Sequence, residues 1–574
     1  MRKLLAASRG KARCDLVIRG GRVANVFSLE YEELDIAVSG GIIVGAGRGY
    51  HGKKEVDAHN AVLMPGMIDG HLHIESTLLA PGGFASVVVP AGTTTVMCDP
   101  HEIANVCGLP GIEFMCREAR RTPLDAFFAA PSCVPASAYE TPRCKIDSTL
   151  LKECYAQGLC SHLGEMMNFP GVINGEAEVW NILAASQGLV KTGHAPGVSG
   201  RDLCAYLLSG CDSDHESNYV EEAREKLRRG MWVMLREGVM ERNLDSLLEL
   251  LLEDEARYSR FMAVSDDISA ERILTDGHLD HLVRKMIKKG VRPLVAAAMV
   301  SITPANYFRL WDRGAIAPGR IADIVMVSSL EECRVIRVWK RGVLAAEEGE
   351  PLFAVPEPDV CALSALRLSV HPETPLSEER LKVQAEPGKN IRVIKVIPGK
   401  VITGQLVVEP LIRGDQVVSD VERDILKLAV LERNRGTGRI ALGFARGFGF
   451  KQGAIASSVA HDAHNYIAVG VDDRSILTAL KFLADNRGGF AVALDDEIKQ
   501  TLPLPIGGLM SALKPAGLVR ALRAVEEAAA GLGGTSAHPF MALSFLSLSV
   551  IPELKLTDQG YIGILTGGRL PLFV

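Results

Sequence analysis

The 574-residue chain contains no Cys-x-x-Cys pair, and none of its 12 cysteines lies beyond Cys361. Without His-x-Glu followed by Pro-Cys-x-x-Cys, a cytidine-type zinc deaminase is excluded. A secreted disulfide framework is also unexpected in so long a chain, and reduced, buried thiols are the simpler expectation. Long apolar runs are missing: Leu294 to Val300 is far too short to span a bilayer. The basic start, Met1-Arg-Lys-Leu-Leu-Ala-Ala-Ser8, has an apolar stretch too short for a secretory signal, so a cytoplasmic protein is expected. The chain lacks a dominant charge sign: the formal net charge of −6 is not clustered, which argues against nucleic-acid or anionic-membrane partners. Short-period repeats and low-complexity tracts are absent as well.

What is present is a globular composition, 47% hydrophobic and 23% charged, in a chain long enough for two or three domains. Residues 1–65 read as strands and turns, as in Asp15-Leu-Val-Ile-Arg-Gly-Gly-Arg-Val and Asp35-Ile-Ala-Val-Ser-Gly-Gly-Ile-Ile-Val, with no helical period. From residue 61 short apolar runs alternate with helix-like stretches roughly every 25–40 residues, the texture of a parallel α/β fold. Candidate strands end near His73, Asp99, Ser132, Glu165, His194, His215, Arg236 and Asp266. Between them lie helical patterns such as Ser246 to Ala256. The segment Gly314 to Val327 returns to the strand-and-turn texture, and the proline-rich residues 350–360 read as a linker. The expected fold is therefore α/β: a (β/α)8 TIM-like barrel (66–314) inserted in a small β-sandwich domain (1–65 with 315–355), followed by a C-terminal α/β domain (361–574).

Most of the candidate strands finish on His, Asp or Glu, and the active site of such a barrel lies at the C-terminal ends of its strands. His71 and His73 stand two apart on a strand, so both rings face the same way. Alone the pair is weak evidence for a metal, and two polar residues in a turn would look the same. Glu165, His194, His215 and Asp266 extend it to four imidazoles and two carboxylates, enough for two divalent cations bridged by Glu165. Taken singly, His194 fits a turn, Glu165 a helix start and Asp266 an N-cap. Thiolates are missing from the set, which suits manganese, iron or zinc. Two such cations would bring the pKa of a bridging water near neutrality, and Asp266 is the candidate acceptor of its proton.

A second polar cluster closes the next strand, where Asp99, His101 and Glu102 fall within four positions. The ligand set leaves these three free for proton transfer to a ring nitrogen or a leaving amine. Glu102 is the first choice, against a turn at Asp99-Pro and a solvated Glu102. Glu75, Ser76 and Arg236 are candidate substrate contacts, with packing at the barrel rim as the alternative.

Several stretches resemble the adenine deaminase family of the metal-dependent amidohydrolase superfamily. They are Pro65-Gly-Met-Ile-Asp-Gly-His-Leu-His-Ile-Glu-Ser76, Cys98-Asp-Pro-His-Glu-Ile-Ala-Asn-Val106, Gly164-Glu-Met-Met and Met234-Leu-Arg-Glu-Gly238. Ala460-His-Asp-Ala-His-Asn465, Leu502 to Ser511 and Phe545 to Thr557 extend the resemblance over nearly the whole chain. It implies hydrolysis of adenine to hypoxanthine and ammonia in purine catabolism or salvage. It also implies two divalent metals, Mn2+ or Fe2+ ahead of Zn2+, with the glutamate bridge falling on Glu165. A homo-oligomer is expected. Thr192 stands where the family often has an acidic residue, and Ala460 and Ala463 replace common serines, but no proposed ligand is lost. His461 and His464 are weighed as an extra metal site, an active-site contribution or a domain anchor, the anchor being favoured. The rival functions are a cyclic-amide hydrolase of the hydantoinase or dihydroorotase kind and a catalytically inactive scaffold on the same fold.

Overall fold

The computed structural model describes residues 1–239, 242–363 and 375–574. Five strands open the chain: β1 (Cys14–Asn25), β2 (Glu30–Ser39), β3 (Ile42–Ala46), β4 (Gly52–Asp57) and β5 (Val62–Pro65). Eight follow in alternation with helices: β6 (Met67–Leu72), β7 (Thr93–Cys98), β8 (Asp125–Ala130), β9 (Cys160–Met166), β10 (Lys191–Gly193), β11 (Ser213–Asp214), β12 (Trp232–Arg236) and β13 (Phe261–Val264). Then come β14 (Ile324–Val327), β15 (Val335–Lys340), β16 (Val343–Glu347) and β17 (Glu350–Pro351).

A helix, Arg2–Ser8, precedes β1 where the sequence pattern predicts none. Leu and Ala are strong helix formers, but seven residues are too few to register a 3.6-residue period. Its Leu4 and Ala7 pack on Cys14 and Val17.

The strands β6 to β13 are parallel to their neighbours in sequence order, β6 to β10 in one sheet and β11 to β13 in another. Single parallel bridges, Lys191 with Cys211 and Leu72 with Asp266, join the two sheets and close the ring. Every residue of β6 and β7 is buried, as expected where helices cover one face of a parallel sheet and side chains fill the other. The helix expected from Ser246 runs Leu244–Glu253 and buries five leucines against the barrel. Each contributes about 1.5–3 kcal/mol of apolar burial. The helix stops there because Asp254 turns extended and caps the next turn through Ala256 N–H.

Outside the ring, β5 pairs antiparallel with β14, Ile324 opposite Pro65, so the chain leaves this sheet for the barrel and returns to it directly. The sheet so formed runs β17-β16-β15-β14-β5-β1-β2-β3, with β4 alongside β1. Lys340 and Arg313 converge on Asp125 at 2.7 and 2.6 Å and tie that sheet to the start of β8.

The expected start of a C-terminal domain at 361 adjoins residues 364–374, which lie outside the described residues. Beyond them an eight-stranded sheet is antiparallel except where Ile391–Val396 meets Ile440–Arg446. The helix Asp473–Asn486 packs on it. A loop of this sheet and the hairpin of a separate three-stranded sheet, Leu554–Thr557 with Gly560–Gly563, dock onto the loop that follows β8. Asp558 accepts from Thr141 N–H (3.1 Å) and Thr141 Oγ1 (2.7 Å), and Asn434 Nδ2 donates to Thr141 O (3.0 Å). Of the cysteines, all but Cys144, Cys204 and Cys361 are buried. Among the described residues no helix is long and apolar enough to cross a membrane.

Replacing Asp558 by Ala strands the Thr141 donors in a buried contact, an expected loss of about 1–3 kcal/mol. Thermal unfolding of the variant against the parent checks this, and an unchanged midpoint would show that the clip carries no weight.

Candidate active site

The six residues singled out as ligands converge at the C-terminal mouth of the barrel. His71 and His73 leave β6 on one face, with ring centroids 4.9 Å apart. The Asp99 carbonyl lies 2.9 Å from His73 Nδ1. A carbonyl only accepts, so Nδ1 carries the hydrogen and Nε2 turns its lone pair inward. Glu165, near the end of β9, lies between two pairs of imidazoles. Its Oε1 is 3.8 Å from His71 Nε2 and 3.4 Å from His73 Nε2. Its Oε2 is 2.7 Å from His194 Nδ1 and 3.2 Å from His215 Nε2. Asp266 Oδ1 stands 3.5 Å from both His71 and His73. Asp266 is not an N-cap; Ser269 caps the helix that follows. Its φ of +55° is a left-handed conformation that Asp tolerates better than most residues.

Local packing explains how Glu165 is aimed. Asp99 Oδ2 accepts the Glu165 N–H at 2.9 Å, and a Cβ on Gly164 would sit 2.2 Å from that same oxygen. Only glycine lets the Asp99 carboxylate approach β9 this closely. The ends of β10 and β11 are fastened by a pair that sequence reading missed. Lys226, fully buried, donates to Asp214 Oδ2 (3.0 Å), Ala195 O (2.6 Å) and Ser217 Oγ (3.0 Å). Asp214 in turn accepts the Ala195 N–H at 2.8 Å. The residues beside His194 and His215 are thus held by one ion pair. Lys226 sits in a charged helical stretch, Val220–Arg228, that looks in sequence like a solvated face.

The second polar cluster is also in place. His101 Nδ1 is 3.4 Å from Asp99 Oδ1, and both atoms are buried without a hydrogen-bond partner among the described residues. His101 and Glu102 begin the helix His101–Cys107 rather than ending a strand. Glu102 accepts from His461 Nδ1 at 2.7 Å and from His464 Nε2. The C-terminal histidines therefore reach the barrel mouth. Their His-x-x-His motif was visible in sequence, but its partner lies 359 positions away. Arg236 NH1 donates to Asp266 Oδ2 at 3.0 Å, and the guanidinium also pairs with Glu216. Ser76 Oγ donates to Asp267, and Glu75 accepts the Ile103 N–H at 3.2 Å.

Charge is unusually dense for a buried site. Burial opposes ionisation of Glu165, but the His215 charge and hydrogen bonds from His194, His215 and His73 hold it well below the usual carboxylate range. Asp266 is likewise held low against burial, by His71, His73 and Arg236. Burial opposes protonation of His215, yet Glu165 raises it to about 9. Burial and then the Glu102 charge push Glu75 up to about 7.

These groups line two connected cavities. The smaller, about 550 Å³, holds His73, His101, Glu165, His194, His215 and Asp266. The larger, about 1210 Å³, shares Glu102, Arg236, Asp266, Asp267 and His461 with it and is bordered by Glu75 and Ser76. Phe490, Phe540 and Phe545 wall it from the C-terminal side.

Residues 62–345 match the amidohydrolase family, and residues 400–566 match the adenine deaminase C-terminal domain. A protein of Dehalococcoides mccartyi named adenine deaminase is 42% identical over 562 residues, 98% of this chain and 97% of its own. The chain belongs to the adenine deaminase family. Another relative, adenine deaminase 2 of Carboxydothermus hydrogenoformans, is 41% identical over 574 residues, 100% of this chain and 99% of its own. The adenine deaminase of Geobacillus kaustophilus is 39% identical over 98% of this chain.

In this family member the Lys226–Asp214 pair supplies a direct test of the scaffold behind the histidines. Lys226→Met leaves Asp214 buried and unpaired, an expected destabilisation of about 3–5 kcal/mol. Loosening His194 and His215 should also weaken divalent-metal binding about 10–100-fold. Calorimetric metal titration at a temperature where the variant is folded checks the second effect. Unaltered affinity would remove Lys226 from the site's support.

Proposed function

We propose that the protein catalyses the hydrolytic deamination of adenine to hypoxanthine and ammonia with two divalent metal ions. The observation that carries the chemistry is the Glu165 carboxylate shared between two pairs of imidazoles. Full-length membership of the adenine deaminase family supports the substrate.

The donor set suits such ions. His71 Nε2 is buried with no hydrogen-bond partner among the described residues, which leaves a lone pair for a cation. His71, His73, Glu165 and Asp266 would hold one ion, and Glu165, His194 and His215 the other. Oxygen and imidazole donors without thiolate fit manganese or iron, with zinc next. When bound, the ions lower the pKa of a coordinated water toward neutrality and orient it.

The chain's own residues do the rest. Asp266, ionised and braced by Arg236 at 3.0 Å, takes the proton that the attacking water must lose. Asp99 and Gly164 fix Glu165 from below. His101 and Glu102 line the smaller cavity on the side left for the purine, with Asp99 behind them. Glu75, Ser76 and Arg236 border the space available to the ring. In this reading residues 66–314 supply the metal face, 361–574 roof it, and 1–65 with 315–355 brace the barrel from outside. The C-terminal match and the roof it supplies favour a deaminase over a cyclic-amide hydrolase.

Manganese-loaded protein should release ammonia from adenine and leave hydantoin and dihydroorotate untouched. Absence of ammonia from adenine, with two metals bound per chain, would overturn the substrate. Glu165→Gln removes the shared charge and should lower metal content below two per chain by elemental analysis. Two tightly held ions in that variant would contradict the bridge.

A further inference from the structure

The C-terminal domain contributes more than a wall. Glu102 is buried, and each of its oxygens meets an imidazole from the segment 461–464. The protonation of His464 follows from its other nitrogen. Its Nδ1 lies 3.1 Å from the Ala460 N–H, which donates to it. A nitrogen that accepts an amide hydrogen carries none, so His464 is neutral and its Nε2–H donates to Glu102. Burial also drives His464 down, to about 4. Arg433 Nε fixes the turn by donating to His464 O at 2.5 Å.

His461 is placed differently. Its Nδ1 bonds Glu102, its ring stacks on Phe545 with centroids 4.9 Å apart, and it borders both cavities. Its Nε2 makes no hydrogen bond to any described residue. The charged and titratable groups around it are Glu102 from the barrel side, Asp267 beyond β13, and Asp462 and His464 of its own segment. Burial lowers it, but Glu102 raises it to about 9. Glu102, with both oxygens occupied by N–H donors, has no proton of its own to give. The imidazole in front of it does.

We propose that His461, backed by Glu102, is the catalytic residue that exchanges the ring proton, and that His464 is a positioning residue that fixes Glu102. This rests on the adenine-deaminating reading above. Water adds its oxygen to C6 and yields a proton to Asp266. The His461 Nε2–H bond breaks as ring N1 gains that hydrogen, and the bonding pair returns to the imidazole. When C6–N breaks, the amine leaves as ammonia with the proton held by Asp266. The hydroxyl on C6 becomes a carbonyl as its proton returns to His461. Both hydrogens of the water are then accounted for, one on N1 and one on ammonia.

The test uses full-length protein. In the manganese form, His461→Gln should lower kcat about 10²–10⁴-fold, the range of a lost proton carrier. KM should change less than about threefold and metal content not at all. The imidazolium is present below its pKa and lost above it, so kcat/KM of the parent should fall above pH about 9. That limb should vanish in His461→Gln, and added imidazole should partly restore His461→Ala. A kcat for His461→Gln within about threefold of the parent, beneath the range of a lost proton carrier, overturns the proposal. So does loss of a metal equivalent in His461→Gln or His464→Gln, which would assign the cluster to a cation. Nitrogen-15 spectra of histidine-labelled, zinc-loaded protein judge the pair without turnover. They should show His464 as the Nε2–H tautomer and His461 doubly protonated at pH 7, the second proton leaving in Glu102→Gln. An Nδ1–H His464, or a His461 indifferent to Glu102→Gln, refutes it. No turnover by the parent with these spectra intact would instead sink the adenine reading and leave the dyad standing.

Discussion

Glu165 carries negative charge at a nearly buried position, and the mouth of the barrel is arranged around that fact. A buried carboxylate without compensation would take up a proton. Here four imidazoles surround it, and its own backbone is gripped by Asp99. The grip depends on a missing side chain, because a methyl group on Gly164 would occupy the space of the Asp99 carboxylate. Behind the histidines, Lys226 and Asp214 hold two strand ends at a common height. Remove the charge on Glu165 and the reason for this crowding of nitrogen and oxygen disappears.

The two halves of the site differ in how far the sequence disclosed them. His71, His73, Glu165, His194, His215 and Asp266 were legible because each lies at or just beyond a barrel strand end, and the fold sends every strand end to one place. The barrel itself was legible from alternating apolar runs, even though β10 and β11 have only three and two residues. Its closure was not, since it rests on single bridges at Leu72 and Lys191 that no local pattern announces. The helix Arg2–Ser8 escaped because it is too short for periodicity. Lys226 escaped for a different reason: a buried cation and a solvated one have the same letter, and only its four oxygen neighbours distinguish them.

His461 and His464 fall between these cases. Their His-x-x-His motif stands out in the sequence, where a domain anchor is the favoured reading. The structure shows that anchoring and reaching the cavity are compatible. The segment bonds Glu102 while the surrounding turn is held by Arg433 and Asn434. Domain docking and side-chain placement are then linked, because Thr141 in the loop after β8 accepts from both Asn434 and Asn465, the neighbour of His464.

The order of these pieces along the chain has a consequence for biosynthesis. Ribosomes deliver the N-terminal part first, and domains fold as units when their last strand emerges. The shared carboxylate and the five candidate ligands around it, and the strands that close the outer sheet, precede Leu352. The imidazoles that meet Glu102 come more than 100 positions later. A nascent chain therefore carries the whole Glu165 cluster before the segment that meets Glu102 has been made. The order of synthesis thus separates the Glu165 cluster from the segment that completes the cavities beside it.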